Sequence, residues 1–171
     1  MELHDVWLTE LEGGGPDRTL LDLRRCFTPQ TATTANVAVR TLFAIRRTTG
    51  NLLGWDKTET SWESESYIHR LSDEDRATSL VPPGTDDGFM RTIYVFPLES
   101  LSKVRNATVH AFSCFALRRT MNGYRFYWAI YVKPISPWTD TYMRIIDPFR
   151  RALVYPAVLN RVKQAWATNC G

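Results

Sequence analysis

A chain of 171 residues, 44% of them apolar, is long enough to bury one sizeable core and too apolar to be intrinsically disordered. Its 21 basic and 18 acidic residues leave a formal charge of +3, too small and too evenly spread for an electrostatic nucleic-acid surface. Three cysteines, Cys26, Cys114 and Cys170, are odd in number and lack metal-ligand spacing, which argues against a disulfide framework or a zinc site.

The opening Met1-Glu2-Leu3-His4-Asp5 has neither the basic start nor the apolar run of a signal peptide, and no stretch is long and apolar enough to span a bilayer. A cytoplasmic protein with no membrane span and no nucleic-acid partner is expected. Aromatic residues are abundant, with six Trp, seven Tyr and eight Phe. They bring large buried area and, in Tyr and Trp, a polar handle.

Taken in order, Val6 to Leu11 alternates and predicts a leading strand. Gly13-Gly14-Gly15-Pro16 then reads as a flexible loop, since no Lys-Ser/Thr follows to make a phosphate cradle. Residues 1–35 are otherwise weakly patterned. Thr34 or Asn36 caps a helix carrying Val39, Leu42, Phe43 and Ile45 and ending by Gly50, and Leu52 to Trp55 forms a short apolar element. Residues 57–65 read as a polar loop, Tyr67 to Leu71 as a strand, and Ser72-Asp73-Glu74-Asp75 as a solvated turn.

The second half is more strongly patterned. Arg91 to Phe96 is β-branched and aromatic, hence a strand. Ala107 to Arg119 and Tyr124 to Lys133 are longer strands joined at Asn122-Gly123, a type I′ hairpin signal. That turn sets Leu117 opposite Trp128, Phe115 opposite Ile130 and Ser113 opposite Val132 on one apolar face, with Tyr127 and Tyr131 on the mixed opposite face. From Thr139 the period becomes helical, with Tyr142, Ile145, Ile146, Phe149, Leu153, Leu159, Val162 and Trp166 on one stripe. Pro148 and Pro156 should kink or split this helix.

Antiparallel strands closed by a long helix follow the order of an α+β helix-grip fold: a curved antiparallel sheet around a kinked C-terminal helix, in a single domain spanning 1–171. In that order the chain resembles the START-like, polyketide-cyclase-like superfamily. More narrowly, Thr108-Val109-His110-Ala111, Tyr127-Trp128-Ala129-Ile130-Tyr131-Val132, and the run from Tyr142 through Asp147-Pro148-Phe149-Arg150-Arg151 to Val154-Tyr155-Pro156 resemble an uncharacterised bacterial domain family. The likeness covers residues 36–166 and is weak before residue 36. It implies a cavity between sheet and helix that takes hydrophobic ligands, and it carries no catalytic motif across.

On that fold the ligand-lining candidates are Trp62, Tyr67, Met90, Ser113, Phe115, Trp128 and Tyr142, with dense packing and no cavity as the rival reading. Among titratable groups, His110 lies in a strand on the same side as Cys114, which makes a Cys–His pair conceivable, and Tyr67 is a second catalytic candidate. His69 and His4 read as surface residues, Asp140 as a capping or first-turn residue, and Asp147, which precedes a proline, as a structural residue at the helix break. The three histidines share no close spacing, so neither metal nor cofactor is expected. The function expected is a cofactor-independent cyclase acting on a hydrophobic, polyketide-like intermediate, with cycloaddition as one route, through preorganisation of a flexible polyene. The alternatives are a non-catalytic carrier or sensor of a lipid-like molecule, and a homodimeric interaction protein built on the mixed sheet face.

Overall fold

The computed structural model describes residues 2–26, 66–87, 90–104, 109–134 and 138–170. The strands are β1 (Glu2–Glu12), β2 (Asp86–Asp87), β3 (Met90–Val95), β4 (Glu99–Val104), β5 (Val109–Thr120) and β6 (Gly123–Pro134). They form one antiparallel sheet in the order β1-β6-β5-β4-β3-β2. The helices are α1 (Leu20–Cys26), α2 (Asp73–Thr78), α3 (Trp138–Phe149) and α4 (Tyr155–Asn169), with a π-helical segment, Arg150–Val154, between the last two. The fold is α+β, an open curved sheet closed by a long C-terminal helix in a helix-grip-like arrangement.

Period-two alternation puts Leu117, Phe115, Ser113 and Ala111 of β5 on one face with Phe126, Trp128, Ile130 and Val132 of β6. The covering stripe of α4 is Tyr155, Val158, Leu159, Val162 and Trp166, spaced as one helical face requires. Leu11 of β1 and Leu20 and Leu23 of α1 complete the larger core.

Several expectations change. The β5–β6 turn is Met121-Asn122, with Thr120 opposite Gly123, so Leu117 pairs with Phe126, Phe115 with Trp128 and Ser113 with Ile130. The slip is two residues, which alters every partner but leaves each side chain on the expected face. Gly123 serves a different need. A Cβ there would lie 2.2 Å from the Leu11 carbonyl oxygen, so glycine lets β1 close against the end of β6.

Tyr67 to Leu71 is not a strand: Tyr67 has φ 60° and opens a short 3-10 turn, Ile68–Arg70. The acidic run starts α2, where Ser72 accepts from the Asp75 backbone and Asp75 reciprocates in a capping box. Nor is the glycine loop loose. Gly14 is buried, Trp166 donates its indole N–H to the Glu12 carbonyl at 3.0 Å, and Tyr124 donates its hydroxyl to the Gly15 carbonyl at 3.0 Å. The helix expected from Thr34, the element 52–55 and the loop 57–65 lie outside the described residues.

The C-terminal helix is interrupted between its two prolines rather than bent at either. Across the π segment the Tyr155 N–H reaches the Arg150 carbonyl, five residues back. The extra residue shifts the phase of the stripe, so Ile145, Phe149 and Leu153 are exposed while Tyr155 begins the buried face.

Candidate functional site

The concave sheet face and the underside of α1 and α4 enclose a cavity of about 30 Å³. Its walls are Phe115, Phe126 and Trp128 of the hairpin, Met90 of β3, Leu20 and Leu23 of α1, and Val158 and Val162 of α4. Polar groups enter at Ser102 and at an ion pair, where Arg24 Nη2 lies 2.9 Å from Asp87 Oδ2. Arg24 Nη2 also contacts Thr92 Oγ1 at 3.5 Å.

The walls are held by ring packing. Phe115 lies 5.4 Å from Phe126 and 5.9 Å, edge-on, from Trp128, and Trp128 meets Tyr155 edge-on at 5.1 Å. The Trp128 indole donates to Ser113 Oγ at 2.7 Å, which spends its N–H inside the protein. Ser113 itself is buried behind the aromatic wall. Small Ser100 and Ser102 on inward positions of β4 leave the width that Phe115 and Trp128 fill.

Of the sequence candidates, Met90, Phe115 and Trp128 line this cavity and Ser113 buttresses it. Tyr67 does not join them. Its ring packs at 5.6 Å on Phe112, whose side chain points to the opposite sheet face from Ser113 and Phe115. Trp62 and the side chain of Tyr142 lie outside the described residues.

A Cys–His nucleophile pair at His110 and Cys114 does not form, because four residues of extended strand set them about 13 Å apart. Burial, reinforced by the Glu99 charge, pushes the Cys114 thiol up to about 11, so it is protonated at neutral pH. Arg24 and Asp87 were not foreseen as cavity residues, because α1 has too short an apolar pattern to announce itself and 63 residues separate the pair. The sequence places His4 at the surface and Asp147 at the proline break of the helix. In the structure they bond each other at 2.9 Å.

Residues 1–157 match the family model described as "Protein of unknown function (DUF2867)". The chain belongs to the DUF2867 family. The match begins at residue 1, so the family's pattern includes β1 and the glycine turn and is not confined to the chain after residue 36. No curated protein and no solved structure matches the chain. Among the described residues, no helix is long and apolar enough to cross a membrane.

Proposed function

We propose that this DUF2867 chain binds an apolar small molecule between its concave sheet face and α4, in the manner of START-like helix-grip proteins. The supporting observation is the cavity, whose walls are aromatic and aliphatic apart from Ser102 and the Arg24–Asp87 pair at one side. Its volume, about 30 Å³, is far below the roughly 300 Å³ of a typical ligand pocket. A ligand therefore enters by displacing side chains. Met90, unbranched with three rotatable bonds, and Leu20 and Leu23 on short α1 are the walls that yield at least cost.

Binding of cis-parinaric acid, a conjugated polyene fatty acid, tests this by fluorescence titration. Saturable one-to-one binding is expected. Ser102→Val fills the cavity with a residue that suits a strand, and should weaken binding at least tenfold while the melting temperature is kept. Absence of saturable binding, or binding undiminished in S102V, refutes the reading.

A second reading adds chemistry: cofactor-independent ring closure of a polyketide-like intermediate held in the same cavity. What favours it is the Arg24 guanidinium, which reaches the cavity while ion-paired with Asp87 and offers N–H donors to a substrate carbonyl. Incubation with a linear polyene ketone should then yield a chromatographically distinct isomer of unchanged mass. Self-association is supported separately by Leu3, Val6 and Leu8, each more than half exposed on β1, which ends the strand order among the described residues. Sedimentation velocity distinguishes a dimer from a monomer.

A further inference from the structure

Two register defects meet at the end of the molecule away from the glycine turn. Between Leu3 and Asp5 the pairing of β1 with β6 slips by one residue, and the extra residue is His4. Facing it, α3, which carries Asp147 in its last turn, gives way to the π segment directly after Phe149. A β-bulge re-aims a side chain, and a π segment inserts a residue into a helix; both are common beside functional sites. Here they bring together residues 143 apart in sequence.

The resulting cluster has one orientation throughout. Asp147 holds Arg150 Nη1 on Oδ1 at 3.0 Å and presents Oδ2 to His4 Nε2 at 2.9 Å. Asp5 holds Arg151 Nη2 on Oδ1 at 2.9 Å and presents Oδ2 to the same His4 nitrogen, 3.7 Å away. One ligand atom from each of His4, Asp5 and Asp147 lies within 4.8 Å of the other two. Ligand atoms on a zinc-sized ion at ~2.0–2.2 Å sit about 3–3.6 Å apart, so small side-chain movements close the set. Arginines on the outer oxygens fix both carboxylates, as hydrogen bonds to the non-ligating oxygen do in metal centres.

A second observation comes from the polar atoms left over. The Asp5 side chain is 10% exposed, and its Oδ2 is buried with no hydrogen-bond partner. The hydroxyl of Tyr155 is likewise buried and unpartnered, on a residue only 2% exposed that lies in the field of Asp5, Asp147, Arg150 and Arg151. A buried acceptor left unbonded carries an uncompensated desolvation cost. A cation on Asp5 Oδ2 removes that cost.

We propose that His4, Asp5 and Asp147 bind one transition-series divalent cation, of the Zn²⁺ or Co²⁺ class. One imidazole and two monodentate carboxylates suit such an ion. Three protein ligands leave a coordination position open for water, the arrangement of reactive rather than purely structural centres. This site is separate from the apolar cavity and does not depend on ligand binding there.

The test is titration of the full, untagged chain with Co²⁺ in metal-free buffer, followed by Zn²⁺ competition. One Co²⁺ per chain is expected, with visible ligand-field bands that Zn²⁺ abolishes. His4→Gln and Asp147→Asn, which keep side-chain size, should each weaken Co²⁺ at least tenfold, whereas His69→Ala at an exposed histidine should leave it unchanged. The proposal fails if the wild-type chain shows no saturable Co²⁺ bands. It fails equally if the bands carry a strong near-ultraviolet thiolate transition, or if affinity survives both ligand substitutions.

Discussion

Single residues decide how the sheet meets its closing helix. Gly14 sits at φ +92°, and a Cβ there would fall 2.5 Å from Cζ2 of Trp166, a side chain pinned by its bond to the Glu12 carbonyl. Gly14→Ala combines left-handed backbone strain with overpacking against an immobile ring, and should cost about 2–4 kcal/mol in chemical denaturation. Asp22 acts at the start of α1, accepting from the Thr19 backbone N–H at 2.9 Å and the Thr19 hydroxyl at 3.0 Å. Chiefly because of that backbone bond, its carboxyl is held below the usual carboxylate range. The stabilisation is therefore complete above the ordinary carboxylate pKa near ~4 and is lost as pH falls through the lowered folded value. Asp22→Asn should cost about 1 kcal/mol at pH 7, and the gap from wild type should narrow in urea melts toward pH 3.

At the level of elements, the hairpin β5–β6 and the buried face of α4 are legible because their apolar periods are long and unbroken. Strand β4 is not, since its inward positions are Ser100 and Ser102, which reverse the alternation a half-buried strand normally shows. Helix α1, only seven residues long, offers too little period to read. The hairpin register escaped because Gly123 reads locally as a turn residue, whereas its reason is the approach of β1 from far along the chain. Likewise no spacing rule joins His4 to Asp147 across a bulge and a π segment. That π segment sets the phase of α4. Inserting one alanine beside exposed Ala152 adds a residue that the π segment does not absorb and would turn α4 by about 100° relative to α3, moving Val158, Val162 and Trp166 off the core. The insertion should abolish the cooperative thermal transition, where Ala152→Ser leaves it nearly unchanged.

Across the whole molecule, the apolar cavity and the polar cluster are neighbours through one ring. Tyr155 meets cavity-lining Trp128 edge-on at 5.1 Å, and on its other contacts it meets Trp7 at 4.8 Å and the Arg150 guanidinium at 5.2 Å. Burial drives its hydroxyl well above the usual phenol range, so the ring carries no charge between the two regions. The same N-terminal strand that supplies His4, Asp5 and Trp7 pairs with a strand far along the chain. Glu10 of β1 pairs with Arg125 of β6, 115 residues later. On a ribosome adding about 5–20 residues per second, β1 waits roughly 6–23 s for the strand it pairs with to be made, its apolar side chains open to other nascent chains or to a chaperone.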